Sequence, residues 1–514
     1  MSRSPLALSI DCGTQSLRAI VFNTDGEPVA TESVRYDEPY YSQKNGWAEQ
    51  DPEFWWDAAV RGLSGVSEQL SDEQRQSLVS ICISCLRDTY ISLDDKKRIL
   101  RPAIVWPDQR VAKDRKKIPF HQAAIFAMVG MTEVIRQQRK VTRTVWLEEN
   151  EPGTFRNLAH YVSLECWLNY KLTGNLIDSK ANLCGHIPVN YKNGTYRRKG
   201  SLMWAATPVD PALLPPAVEV GETIGTITDA VAQRTGLPGG LKVVAGATDK
   251  ACETLGCGVL ESDLASVSFG TTATVEITTD RYVEPQRFLP AYISAVRGHW
   301  NPEVQIYRGY WMVRWFAEQF GQAEKIESRK TGIPVEQLLD RLLEQTPPGC
   351  DGLVLQPYWC PGLKQLEAHG SIIGLSDYHT RAHLYRAILE GINYELLQSL
   401  EGISARSHEK VQAICLCGGG SRSDSICQLA CDVFGLPAYR CHTAETSALG
   451  AAIISFMACG QFASYEDAVR SMVHYTTSFL PDEDNHRLYR RTYESVYKNL
   501  YPALRPVYRR SFGL

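Results

Sequence analysis

Residues 8–26, LSIDCGTQSLRAIVFNTDG, end an apolar run on a carboxylate, turn tightly and begin a second apolar run at once. Asp11 is followed by Gly13, which lets the backbone approach a ligand closely, and by Thr14, Gln15 and Ser16. Their amides and hydroxyls can all point into one turn, as a phosphate cradle requires. A carboxylate beside such a cradle points to a bound divalent cation. Asp at a strand end also bonds backbone amides in an Asx turn, and this stretch alone leaves both readings open. The design recurs at 265–276, ASVSFGTTATVE, where Gly270, Thr271 and Thr272 separate two β-rich runs in the other half of the chain. Two such loops are how a protein would grip one polyphosphate from both sides. A third piece lies at 413–424, AICLCGGGSRSD, in which an apolar strand runs into Gly418, Gly419, Gly420 and Ser421 and then into helical apolar spacing. Strand, triple glycine and helix N-terminus make a nucleotide-binding corner, because only glycines let the chain pass flat under a base or ribose; a flexible loop is the alternative. Small residues in AETSALGAAII, 444–454, let a helix pack closely beside that corner.

The elements that must position these loops follow from periodicity. LALSI (6–10) and AIVF (19–22) read as short strands bounded by turn residues, with a further strand opening at Pro28. The 514 residues exceed a single core and predict roughly two to four domains. Hydrophobic content of 44%, charged content of 22% and a net charge of -4 describe an ordinary globular chain with no electrostatic case for nucleic acid or an anionic membrane. No apolar run approaches the roughly 18 residues of a membrane span, so a small-molecule partner and a cytoplasmic location are expected. Of the 15 cysteines, Cys82 and Cys85 form a C-x-x-C, but no second such element follows. They sit in a strand-like run where positions three apart face opposite sides, so buried free thiols are expected rather than zinc.

With these loops in this order the chain resembles the FGGY carbohydrate kinases, a branch of the actin, Hsp70 and hexokinase superfamily. The resemblance covers nearly the whole length. It rests on the opening from Asp11 to Arg18, GWAEQDPEFWW (46–56), LRPAIVWPDQR (100–110), WLEENEP (146–152), YKLTG (170–174) and AGATDKACETLGCG (245–258). SFGTT (268–272), HTRAHLYRAILEGINY (379–394) and the run from GGGSRS to SALGAA complete it. The resemblance implies an α/β fold of two ribonuclease-H-like, actin-like ATPase lobes with an interlobe cleft for ATP, Mg²⁺ and a small sugar or polyol. The lobes are expected at 1–258 and 259–514, with a homodimer left open. It places Asp249 as the catalytic base and Asp11 near the metal. Gly13, Thr14, Gln15, Gly270, Thr271, Thr272, Gly309 and Gly418 to Ser421 fall on the phosphate and nucleotide side. As a residue type Asp249 also suits an N-cap for KACETLG.

The expected substrate side departs from the family's pentulose kinases. Where many of those carry Gln-Met-His-Gly, this chain has Leu86-Arg87-Asp88-Thr89, which is more similar to the Arg-Glu-Thr of glycerol kinases. A buried Arg87–Asp88 pair could bond several hydroxyls; a plain surface pair is the alternative. Lys250 follows Asp249 and could lower its pKa, meet an anionic substrate group or point to solvent. Trp106 and Asp108 match positions near the sugar pocket. The C-terminal run RLYRRTYESVYKNLYPALRPVYRR reads as helix with a solvated basic face. Two rival classes stay open. One is an actin-like or chaperone-like ATPase, which would not need the sugar-side segments; the other is a silent sensor that binds sugar and nucleotide without turnover.

Overall fold

A computed structural model describes residues 4–359, 365 and 367–511. The chain forms two compact units, one of Met1–Gly258, Tyr292–Trp300 and Ser447–Val473, the other of Val259–Ala291, Asn301–Thr446 and His474–Leu514. The chain changes unit after Gly258, and two later segments rejoin the first unit.

The first unit is built on a six-stranded sheet of β1 (Leu6–Cys12), β2 (Ser16–Phe22), β3 (Pro28–Arg35), β4 (Leu78–Cys85), β5 (Thr223–Thr226) and β6 (Lys242–Thr248) in the order β5-β6-β4-β1-β2-β3. β1, β4 and β6 run parallel, while β2, β3 and β5 are antiparallel to their neighbours. Every residue of β1 is buried, as a central strand covered on both faces demands. Helix α1 (Pro52–Gln69) packs over β2 and β3; it starts where the Asp51 side chain accepts from Glu53 N. Helix α2 (Leu164–Thr173) packs against β4 and β5, and α3 (Asp249–Gly256) continues directly from β6.

The second unit repeats the plan with β7 (Leu264–Phe269), β8 (Ala273–Glu276), β9 (Glu303–Ile306), β10 (Ala413–Cys417), β11 (Ala438–Cys441) and β12 (Tyr475–Phe479), in the order β9-β8-β7-β10-β11-β12. β7, β10 and β11 are parallel; the other pairings are antiparallel. Each sheet is thus a three-strand meander whose first strand also starts a parallel trio closed by an antiparallel edge. These are the two α/β lobes expected from the sequence. Helix α4 (Arg381–Ser407) is buried nearly all round, and α5 (Asp424–Phe434) follows β10.

The C-terminal helices run over Glu483–Thr492 and Lys498–Ser511 around a π-helical turn, Tyr493–Tyr497. Tyr489, Tyr493 and Tyr497 pack around Tyr394 in the core, Tyr493 stacked on it, Tyr489 edge-on and Tyr497 tilted. The basic face is partly exposed and ion-paired within the unit, Arg490 with Glu401 and both Arg505 and Arg509 with Glu367. Among the described residues no cysteine is in a disulfide, and all are buried except the half-buried Cys459. Among the described residues no helix is long and apolar enough to cross a membrane.

Candidate active site

The register of the first sheet brings three segments together. Ser84 of β4 lies between Asp11 of β1 and Ala247 of β6, and Cys85 lies between Cys12 and Thr248. The parallel strands therefore end level, and Gly13–Gln15, Leu86–Thr89 and Asp249–Lys250 leave the sheet at one edge. Ligands of open α/β sheets bind outside these carboxyl ends. Asp11 has a side chain 11% exposed and pairs across the hairpin with Arg18 Nη1 at 3.3 Å. The turn closes through Gly13 N donating to Ser16 O at 3.0 Å. Thr14 Oγ1 accepts from the Trp106 indole at 3.0 Å, so a residue expected on the sugar side bonds the phosphate-type loop.

Asp249 is the first residue of α3, and the cap is one residue earlier: Thr248 Oγ1 accepts from Ala251 N at 3.3 Å. The reading of Asp249 as the N-cap is corrected accordingly, since the capping oxygen belongs to the residue with extended backbone. The Asp249 side chain is 31% exposed; it accepts from Lys250 N at 2.9 Å and faces Arg87 Nε at 3.8 Å. Arg87 also lies over the Tyr292 ring, 5.1 Å from its centroid. Behind α3, Ser447 donates to the Asp249 carbonyl at 3.2 Å, and a Cβ on Gly450 would collide with the Cys252 carbonyl. The small residues of 444–454 thus permit close packing on the helix that carries Asp249, where the sequence reading had set them beside the triple glycine.

Three substrate-side expectations change. Arg87 and Asp88 do not pair with each other. Asp88 takes a left-handed conformation, φ 55°, and its carboxylate accepts from His186 N at 3.1 Å and from His186 Nδ1 at 2.8 Å. Burial works to raise its pKa, but the charge and hydrogen bonds of His186, with Arg143, outweigh it and hold the carboxyl below its ordinary value. Lys250 Nζ bonds Glu253 one helical turn on, at 2.8 Å. Asp108 is the clearest correction: its side chain is 0% exposed and is taken up by Ala48 N at 2.6 Å and Arg110 Nη2 at 2.7 Å. Arg110 lies between the Trp47 and Trp146 rings and also bonds Glu49. Asp108 therefore anchors its loop and offers no oxygen to a ligand. His186 was missed from sequence because nothing in CGHIPVN marks it; the one signal is the glycine before it.

In the second unit the Gly270–Thr272 turn joins the paired residues Phe269 and Ala273. It is held from behind, with Tyr310 N donating to Gly270 O at 3.3 Å and Trp311 N to Thr271 O at 3.4 Å. Gly309 fits there because a Cβ would lie 2.5 Å from that of Ala273. Ser268 is in register with Cys417 on the neighbouring parallel strand, so Gly418 emerges beside the same turn. Its φ of 77° and ψ of 179° are a glycine conformation, and a Cβ would sit 2.9 Å from Phe269 C. Nothing lies within 4 Å of a Cβ built on Gly419. Ser421 is buried and donates back to Gly418 O at 2.8 Å. A 3-10 turn, Gly419–Arg422, intervenes before Ser423 caps α5, where the sequence reading ran the glycines straight into the helix.

The model of the FGGY family of carbohydrate kinases, N-terminal domain, matches residues 6–256, and that of the C-terminal domain matches residues 265–459. The chain belongs to the FGGY family of carbohydrate kinases. Sugar kinases of this family use ATP. The xylulose kinase of Lactococcus lactis subsp. lactis is 28% identical to this FGGY kinase over 495 residues, covering 95% of this chain and 94% of that one. The gluconokinase of Bacillus subtilis is 25% identical over 495 residues, with coverage of 94% and 93%. The ligand-bound xylulose kinase from Lactobacillus acidophilus shares the fold, with a TM-score of 0.82 at 20% identity over 98% of this chain and 99% of that one.

Proposed function

We propose that this FGGY kinase transfers the γ-phosphoryl group of ATP to a hydroxyl of a small neutral sugar or polyol in the cytoplasm, with Asp249 as general base. The observation that carries the reading is the level ending of β1, β4 and β6, which sets Asp11, Arg87 and Asp249 on one sheet edge. Asp249 accepts the proton of the attacking hydroxyl as the new O–P bond forms and the bond from the γ-phosphorus to the ADP oxygen breaks. Arg87 orients that carboxylate from 3.8 Å. Taken each in its own unit, the backbone amides and threonine hydroxyls of a Gly-Thr turn suit phosphate oxygens, and within the second unit Gly418–Gly420 let adenosine approach the backbone. Mg²⁺ keeps several waters and needs few protein oxygens, so the single, largely buried Asp11 carboxylate fits it; when bound, the ion neutralises phosphate charge.

The charge at this edge selects among acceptors. Arg87 faces Asp249, Lys250 bonds Glu253 and Asp88 is held by His186 and Arg143, so an acceptor carboxylate would have to compete with the protein's own carboxylates for these cations. This favours a neutral acceptor, of the kind the xylulose kinase relative is named for, over a sugar acid such as the gluconokinase relative is named for. A coupled ADP-release assay over ketoses, polyols and aldonates tests the class. Asp249→Asn is expected to lower acceptor-dependent turnover by about 10²–10⁴-fold and to leave ATP affinity by calorimetry unchanged. Turnover within about twofold of the parent removes Asp249 from the role, and aldonates as the best acceptors overturn the charge argument.

A further inference from the structure

We infer that His186 is an acceptor-binding residue whose Nε2 hydrogen-bonds a hydroxyl of the sugar or polyol, with Asp88 as the residue that positions it; this rests on the sugar-kinase reading above. The inference starts from tautomer chemistry. The Asp88 carboxylate, held ionised by the surroundings described above, only accepts, and it lies 2.9 and 2.8 Å from His186 Nδ1. Nδ1 therefore carries a proton, and Nε2 accepts from a hydroxyl when the ring is neutral and donates to one when the ring is charged. Among the described residues Nε2 has no hydrogen-bond partner, although the ring is anchored at two points, through its backbone N and through Nδ1. The His186 side chain is 23% exposed and that of Asp88 18%, so the pair is open to a ligand.

The backbone is shaped around this pair. Asp88 stands at φ 55° and Gly185 at φ 79°, and a Cβ on Gly185 would collide with Asp88 Oδ1. Asp88 carries the strain of a non-glycine left-handed residue, while Gly185 supplies its positive φ at no steric cost and leaves room for the carboxylate, and such strain concentrates where a group must be aimed. Placement agrees. The Tyr90 hydroxyl donates to Cys184 O at 2.7 Å, which pins the segment next to Thr89. The buried Cys184 thiol is pushed up to about 12 by burial and also feels Arg87, Asp88 and Asp249, so residues 184–186 lie within electrostatic reach of the proposed base. A hydroxyl, being both donor and acceptor, can pair with Nε2 in either state of the ring.

The test measures steady-state kinetics of His186→Asn, His186→Gln and Asp88→Asn with D-xylulose, glycerol and whichever panel acceptor gives the highest kcat/KM. Asn keeps a donor near the Nδ1 position but cannot reach where Nε2 stood, while Gln extends an amide toward it. His186→Asn is expected to raise the acceptor KM about tenfold, with ATP KM and melting temperature unchanged, and His186→Gln to restore part of the loss. Asp88→Asn is expected to raise the acceptor KM likewise. A parental acceptor KM in His186→Asn overturns the inference and leaves the kinase reading standing. Equal losses for ATP and acceptor, or a fall in melting temperature that accounts for the loss in both His186 variants, assign the pair to structure and also overturn it. Absence of turnover by the unaltered protein on the whole panel overturns the kinase reading itself.

Discussion

Replacing Gly418 by Ala isolates the proposed nucleotide corner, and the structure gives the size of the effect. A φ of 77° with ψ of 179° is a region essentially reserved for glycine, and a side chain there costs about 1–3 kcal/mol. The added Cβ would also stand 2.9 Å from Phe269 C, 3.0 Å from Gly270 N and 3.1 Å from Phe269 N. All three are backbone atoms, so relief requires moving the Gly270–Thr272 turn itself. Strain and contact together amount to about 3 kcal/mol, which for a unit of this size lowers the melting temperature by about 6–12 °C. Because the displaced turn is the proposed phosphate holder, the ATP KM should rise about tenfold or more while the acceptor KM stays constant. Gly419→Ala is the internal control: its Cβ enters open space, so the melting temperature should hold within about 2 °C. Differential scanning calorimetry and ATP titration read both variants. Parental melting and parental ATP affinity in Gly418→Ala would refute the reasoning, as would an equal melting loss in Gly419→Ala.

Asp108→Ala should destabilise without touching acceptor recognition, because it strips the buried Arg110 guanidinium of one of its two carboxylate partners, leaving Glu49, at a cost of about 1–3 kcal/mol. A parental melting temperature with a raised acceptor KM would return Asp108 to the substrate side. Glu390 on α4 predicts a pH effect. Burial raises its pKa from 4.5 to about 7, with Gly349 N and the Tyr489 hydroxyl bonding the carboxyl. Between those pH values the folded state holds a proton that the unfolded state has released, so stability falls as pH rises through the window, by on the order of 3 kcal/mol, and is level above it. Glu390→Gln should remove that slope, and urea midpoints at pH 5 and 8 that change in parallel for parent and variant would contradict the assignment.

The sequence by itself determined the local devices. Apolar runs broken by Asp-Cys-Gly-Thr and Phe-Gly-Thr-Thr are hairpins because strand period and turn chemistry are encoded within a few residues, and β1, β2, β7 and β8 formed there. The triple glycine after an apolar strand was legible for the same reason, and the order of these pieces carried the family. Which charged groups meet was decided by tertiary structure. Asp88 found its partner 98 residues away in His186, because a left-handed backbone turned its carboxylate toward a loop that only Gly185 lets approach. Asp108 looked like a ligand residue until the chain folded Arg110 and Ala48 onto it. The Gly450 helix could have packed against any smooth surface, and the fold set it on the helix of Asp249. A charged side chain commits to whichever partner the register and backbone angles bring within hydrogen-bond reach. Register is set by long-range strand pairing, as in the level ending of β1, β4 and β6, and no local stretch of sequence contains it.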